Sequence, residues 1–360
     1  MSRILLLVNG LGLGNSTRSY AVIQQLLAAG AEVEVATSDN GLSFFADKPE
    51  VGRVTEIPSV RYGQKAGRIN IKATLFQLGN MLDTIRRSEA IVATTIARFK
   101  PTAVVTDSIY SLRPVRRAGL PLAAINNSDM VVRRMRGGGW PAAVLPQFLA
   151  VELSDYVFHR AVPDLTISPR LDPSDVAEDW PFRRVGPIVR LACSPDAART
   201  GRPERVVVML SGSVFGSPVA LRRDRPGLTI DVIGRTAPKG GAIPEGVVYH
   251  GKLRDSLTPM RDADLVVVNG GFSAVSEALF LRKPMVVVPV PRHAEQWANG
   301  ECIRRLGAGI AATEEALEDA IDAALQRIDE LRAAIDTLPA PVNGAMLAAE
   351  LILDLAARPQ

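Results

Sequence analysis

Asp264-Leu-Val-Val-Val-Asn-Gly-Gly-Phe-Ser-Ala-Val-Ser-Glu-Ala-Leu279 and, after Lys283-Pro284, Met285-Val-Val-Val-Pro-Val-Pro-Arg-His-Ala-Glu-Gln-Trp-Ala-Asn-Gly300 decide how this chain folds. An apolar strand runs into Gly270-Gly271, which opens a helix carrying Glu277, expected in its first turn; a second apolar strand ends before Glu295-Gln296. Backbone N–H groups at Gly271, Phe272 and Ser273 would point at an anion, reinforced by the positive end of the helix dipole. Glycine lets such a ligand approach the main chain closely. A lone Gly-Gly turn, a lone helical Glu or a lone Glu-Gln would each be ordinary structure; their spacing, with Pro289 between, is what argues for a site.

Working outward, the same strand-turn-helix pattern occurs twice. Strand Ile4 to Val8 leads through Asn9-Gly-Leu-Gly-Leu-Gly14 into a helix from about Ser16 to Ala29, followed by strand Glu32 to Thr37. A helix around Ile85 to Phe99, strand Ala103 to Thr106 ending at Asp107, and strand Leu122 to Asn126 continue the alternation. Beyond a proline-rich stretch come strands Val206 to Leu210, ending at Ser211-Gly-Ser213, Thr229 to Ile233, Leu265 to Val268 and Met285 to Val288. Helices then run from about Thr313 to Leu338 and from about Gly344 to Ala357. Alternating strands and helices predict parallel sheets. The expected division is a first domain over 1–165, a linker over 166–204, a second domain over 205–338 and a returning helix over 339–360. The stretches Val60 to Met81 and Met130 to Phe148 are expected to be mobile loops over a cleft.

Composition narrows the class. A chain of 360 residues is too long for one ordinary core. Its 47% hydrophobic and 22% charged content is that of a globular enzyme, and no apolar run reaches the roughly 20 residues of a membrane span. The opening residues run straight into a glycine loop, so a cytoplasmic location is expected. Two cysteines and three histidines argue against a disulfide framework and a zinc site. A net charge of +4 suits an anionic substrate. Basic residues gather at Arg61, Lys65, Arg68 and Lys72, at Arg113, Arg116 and Arg117, and at Arg133, Arg134 and Arg136 before Gly-Gly-Gly-Trp-Pro. Either these press on the inner face of an anionic membrane or they are ordinary solvated arginines. They lack interleaved aromatics, so nucleic acid is not expected as a partner.

The run from Gly270-Gly271 through Glu277, Pro284, Pro289, Glu295-Gln296 and Asn299 resembles the donor-binding segment of GT-B fold glycosyltransferases. It is similar to family 1 UDP-glycosyltransferases and to family 28, the peptidoglycan N-acetylglucosaminyltransferase group. The resemblance implies an α/β fold of two Rossmann-like parallel-sheet domains facing a cleft, with a UDP- or dTDP-sugar in the second and an acceptor in the first. It further implies that Gly270, Gly271, Phe272 and Ser273, with Ser211, Gly212 and Ser213, cradle the diphosphate, and that Glu277 takes the ribose hydroxyls. Lys252 and Leu253 would pass the base; His293, Glu295 and Gln296 would meet the sugar; Gly12, Gly14 and Asn15 would face the acceptor.

One departure matters. Family members commonly carry a histidine as general base just after the glycine loop, where this chain has Asn15, which takes no proton near neutrality. Asp107 and Asp129, at carboxyl ends of first-domain strands, are the replacement candidates. Neither metal nor other cofactor is expected, and the reaction implied is an inverting transfer to a hydroxyl of a small molecule or a lipid-linked saccharide. The missing histidine keeps two alternatives open: a nucleotide-sugar hydrolase or 2-epimerase, and a non-catalytic nucleotide-sugar-binding subunit.

Overall fold

The structure, a computed structural model, describes residues 1–59, 64–65, 68–69, 78–190, 192, 201–210, 221–238, 240, 242–251, 253 and 255–358. Ser211, Gly212, Ser213 and Lys252 therefore lie outside the described residues, as does most of the 60–81 stretch.

Strands β1 (Arg3–Val8), β2 (Glu32–Thr37) and β3 (Val54–Glu56) open the first domain, and β4 (Gln64–Lys65) and β5 (Arg68–Ile69) form a small antiparallel pair. Strands β6 (Ala103–Asp107), β7 (Leu122–Ile125), β8 (Leu165–Pro169) and β9 (Phe182–Val185) complete a seven-stranded parallel sheet in the order β3-β2-β1-β6-β7-β8-β9. The second sheet is built from β10 (Arg205–Met209), β11 (Thr229–Ile233), β12 (Val247–Gly251), β13 (Leu265–Val268), β14 (Met285–Val287) and β15 (Gly309–Ala311). Its order, β12-β11-β10-β13-β14-β15, repeats the plan of the first. Residues such as Leu5, Leu6, Leu7, Val266 and Val267 are at most 1% exposed, because helices cover both sheet faces.

Three expectations change. Residues 166–204 are not all linker, since most of β8 and all of β9 belong to the first sheet; β9 includes two arginines and β8 ends on a proline, which hid both from a hydrophobicity reading. The expected loop from Met130 to Phe148 is largely helical: helix Ser128–Arg136 is followed by short turns at Ala142–Val144, Leu145–Gln147 and Phe148–Glu152, then helix Leu153–Ala161. The helix expected over 313–338 is two, Leu317–Gln326 and Ile328–Thr337, broken at Arg327.

The final helix, Gly344–Ala356, returns to the first domain. Ala345, Ala348, Ala349, Ile352 and Leu355 are buried in one cluster with Ile4, Leu6, Val22 and Leu26. Where the outgoing and returning segments cross, a Cβ on Gly186 would stand 2.2 Å from the Val342 carbonyl oxygen, and one on Gly344 2.2 Å from that of Gly186. Only glycines fit there. Asn343 fastens the crossing: its side-chain amide donates to the Val189 carbonyl at 2.8 Å, and its oxygen accepts from Ala345 N–H at 3.0 Å as the helix cap.

Candidate active site

In each sheet the strand order reverses beside its first strand, and ligands of open α/β sheets bind at the carboxyl ends there. In the first sheet the turns at that point follow Val8 and Asp107; in the second, the turn after Val268 is Asn269-Gly270-Gly271. Helix Leu13–Ala28 begins after Gly12 and helix Phe272–Phe280 after Gly271, neither with a side-chain cap. The two starts abut, Ser273 Oγ donating to the Gly14 carbonyl at 3.1 Å. A third helix, Ala294–Arg305, starts at His293 and lies against Gly270. A Cβ on Gly270 would come 2.4 Å from the Gln296 carbonyl oxygen, and the Gly270 carbonyl accepts from Asn299 Nδ2 at 2.8 Å. At Gly271 nothing lies within 4 Å of the Cβ position. Gly270 is therefore a packing glycine and Gly271 the one with space for a ligand.

In the first domain, Gly12 is open to space and Asn15 is tied locally, its amide donating to the Asn9 carbonyl at 3.4 Å and its oxygen accepting from Arg18 Nη2 at 3.3 Å. Arg18 Nε also donates to Asp107 Oδ2 at 3.1 Å and its Nη2 to Oδ1 at 2.5 Å, while Ser19 Oγ adds a bond to Oδ2 at 2.9 Å. Burial opposes the Arg18 charge, but Asp107 more than offsets it and raises the guanidinium pKa above its ordinary value. Asp129 pairs with Arg184 at 2.5 Å and accepts from Ser168 at 2.7 Å. Burial still lifts its carboxyl above the usual range. Both aspartates favoured from the sequence are thus committed to an arginine.

In the second domain, Phe272 is buried, so its backbone alone faces the turn. Glu277 stands six residues into its helix, in the second turn rather than the first. Both its oxygens meet Arg190, from Nε at 2.6 Å and Nη2 at 2.8 Å. Gln296 Oε1 accepts from Val290 N–H at 2.9 Å, holding the turn before its helix, and Leu253 is exposed.

The structure brings in a residue the sequence reading passed over. Glu152, buried, offers a carboxylate oxygen that lies with a Glu295 oxygen and a His293 ring nitrogen within 4.8 Å of one another. Gln147 Nε2 donates to Glu152 Oε1 at 2.7 Å, and Gln147 Oε1 accepts from Ala294 N–H at 2.9 Å, joining the domains through one amide. Desolvation first, then the nearby Glu295 charge, push the Glu152 carboxyl up to about 8. Neighbouring Asp155 behaves oppositely: burial raises it, but His159 Nδ1, Tyr110 Oη and Asn126 Nδ2 at 3.1, 2.6 and 2.7 Å win and hold it below the ordinary carboxylate value. A glutamate inside Leu-Ala-Val-Glu-Leu was the available signal.

The profile of glycosyl transferase family 1 matches residues 2–138 and 249–329, which include all three helix starts. The chain belongs to that family. An uncharacterized glycosyltransferase of Methanosarcina acetivorans is 23% identical over 85% of this chain and 84% of its own. The UDP-N-acetylglucosamine--N-acetylmuramyl-(pentapeptide) pyrophosphoryl-undecaprenol N-acetylglucosamine transferase of Methylobacterium radiotolerans is 25% identical over 99% and 98%. Among solved structures, the Streptomyces sp. SF2575 glycosyltransferase SsfS6 complexed with thymidine diphosphate superposes with a TM-score of 0.59 at 21% identity, covering 98% of this chain and 100% of that one. The two-sheet architecture is the GT-B fold.

Further contacts cross the cleft of this glycosyltransferase. Arg134 lies 4.8 Å from the Trp297 ring centroid and 3.3 Å from Glu301, and Trp140 and Phe148 pack with Trp297 around Val131, Met135 and Ala298. A cavity of about 320 Å³ opens beside them, lined among others by Arg133, Arg305, Asp172, Asp175 and Cys302. Arg133 pairs with Asp175 at 3.1 Å and Arg305 approaches Asp172 at 3.9 Å, so the basic groups there face carboxylates. Arg116 likewise meets Asp164 at 3.0 Å. Among the described residues no helix is long and apolar enough to cross a membrane.

Proposed function

We infer that this glycosyltransferase moves a sugar from a UDP- or dTDP-sugar to a hydroxyl without a metal ion, in a single inverting displacement. The observation that carries the reading is the meeting of the helix starts at Gly12 and Gly271, neither with a side-chain cap, beside the helix start at His293, with open space at Gly271. Three helix dipoles, with the N–H groups at the starts of the first two, supply the positive potential that a diphosphate needs as ground-state ligand and leaving group. Gly271, Phe272 and Ser273, with Ser211, Gly212 and Ser213, are assigned to the diphosphate, and Lys252 and Leu253 to the base. Glu295, Gln296 and His293 take the sugar.

Glu277, held bidentately by Arg190, is assigned to the ribose diol. The thymidine diphosphate complex of the Streptomyces enzyme supports a pyrimidine diphosphate donor. The acceptor is a hydroxyl-bearing metabolite or a lipid-linked saccharide, the latter being the substrate class named for the Methylobacterium relative. Contact with an anionic membrane has less support, because Arg133, Arg134 and Arg116 turn to carboxylates of the chain itself. Titration calorimetry with UDP and dTDP, each with and without EDTA, tests the reading. Binding of at least one nucleotide in the micromolar range, indifferent to EDTA, is expected; no heat from either, or binding only with added Mg²⁺ or Mn²⁺, would refute it.

A further inference from the structure

We propose that Glu152 is the base that removes the proton from the acceptor hydroxyl, filling the position that Asn15 cannot. The proposal rests on the transferase reading above and adds the residue that reading lacks. It begins with what each cleft carboxylate touches. Asp107 is held by Arg18, Asp129 by Arg184 and Glu277 by Arg190, while Asp155 accepts from His159, Tyr110 and Asn126. A carboxylate held by a cation or by several donors is a weak base, because its anionic form is already stabilised. Glu152 is held by the neutral amide of Gln147 and faces a second carboxylate, Glu295.

Position supports the same residue. Glu152 ends the turn before helix Leu153–Ala161 in the acceptor domain, whereas His293 and Glu295 begin a helix of the donor domain, and the three meet where the sugar is assigned. An acceptor bound on the first-domain side would set its hydroxyl between Glu152 and the anomeric carbon. In the step, the acceptor oxygen forms its bond to the anomeric carbon as its proton passes to a Glu152 oxygen. The bond from that carbon to the diphosphate oxygen breaks, and its electron pair leaves with the nucleotide. Solvent then takes the proton from Glu152.

The charged and titratable groups facing this carboxyl are Glu295 and His293 from the donor domain and Asp155 from its own helical run, with Arg18 acting on Glu295 and Asp155 from the first helix. Their balance, with burial, holds Glu152 near 8, a value suited to proton transfer at neutral to mildly alkaline pH.

The test compares wild type, Glu152→Gln and Glu152→Asp with UDP-glucose and dTDP-glucose as donors and two acceptors, benzyl alcohol and 4-nitrophenol. The second ionises unaided near neutrality and needs little help from a base. Transfer to benzyl alcohol should fall by about 10²–10⁴-fold in Glu152→Gln and recover in part in Glu152→Asp. Transfer to 4-nitrophenol should fall far less, UDP affinity should stay within about twofold, and the rise of wild-type rate with pH toward 8 should vanish in Glu152→Gln. Equal losses on both acceptors, no loss on either, or turnover that EDTA abolishes and Mn²⁺ restores would overturn the assignment. A wild type that transfers to neither acceptor and binds no UDP would take down the transferase reading and Glu152 with it. An active wild type matched by Glu152→Gln would remove Glu152 alone.

Discussion

Arg190, on the segment that leaves the first domain, holds both carboxylate oxygens of Glu277 on the second-domain helix Phe272–Phe280, at 2.6 and 2.8 Å. The pair is bidentate, and Ser256 Oγ accepts from the same guanidinium at 3.3 Å. A carboxylate fixed in this way keeps one orientation.

Glu277→Ala and Arg190→Ala should each weaken UDP binding by about 1–3 kcal/mol, the range for hydrogen bonds to charged groups. If Arg190 acts by orienting Glu277, the double variant should lose little more than either single one. Calorimetric titration of the four proteins gives the coupling, and strictly additive losses would mean that the two residues act separately.

The neighbouring glycines should separate fold from ligand. Gly271→Ala introduces a methyl into open space at an ordinary extended backbone conformation, so the melting temperature should hold while UDP affinity falls at least tenfold. Gly270→Ala meets the Gln296 main chain and should lower the melting temperature by several degrees, the scale of an overpacked site at about 1–3 kcal/mol. Indistinguishable melting curves for the two variants would contradict this division.

Asp107→Asn should cost stability before chemistry. It leaves the buried Arg18 guanidinium without its counter-charge, a loss of about 3–5 kcal/mol in denaturant unfolding. A cost below about 1 kcal/mol would show that the pair does not anchor the glycine loop.

Glu152 also gives stability a pH dependence of stated sign. Its carboxyl keeps its proton to about 8 in the folded chain against 4.5 in the unfolded one. Between those values the folded state binds more protons, so stability is fullest below 4.5 and falls as pH rises toward 8, at up to about 1.4 kcal/mol per pH unit. Glu152→Gln should therefore melt higher than wild type at pH 8.5, with the gap closing toward pH 5. A gap independent of pH would count against the raised value.

How much could be read beforehand follows from where the information lies. Strands such as Leu265–Val268 were legible to the residue because a parallel strand covered on both faces is an unbroken apolar run. Phe182–Val185 was not, because its Arg184 is buried through a pairing with Asp129 that no local pattern announces. Helix Ser128–Arg136 disappeared into an expected loop because Gly137-Gly-Gly139, Pro141 and Pro146 follow it closely. The Asn269-Gly270-Gly271 turn is contiguous and could be read as a motif. Glu152 meets Glu295, and Glu277 meets Arg190, only across the folded chain, so the carboxylate most suited to proton transfer was invisible while Asp107 and Asp129 stood out at strand ends.

The burial of Ile352 and Leu355 beside Ile4 and Leu6 has a temporal side. Every strand of the second sheet lies between these two segments in sequence, so during synthesis the first domain keeps an apolar face uncovered until the second has been made. Assembly of the two halves is therefore ordered by translation itself: helix Gly344–Ala356 can seal the first domain only after the chain of the second has been made.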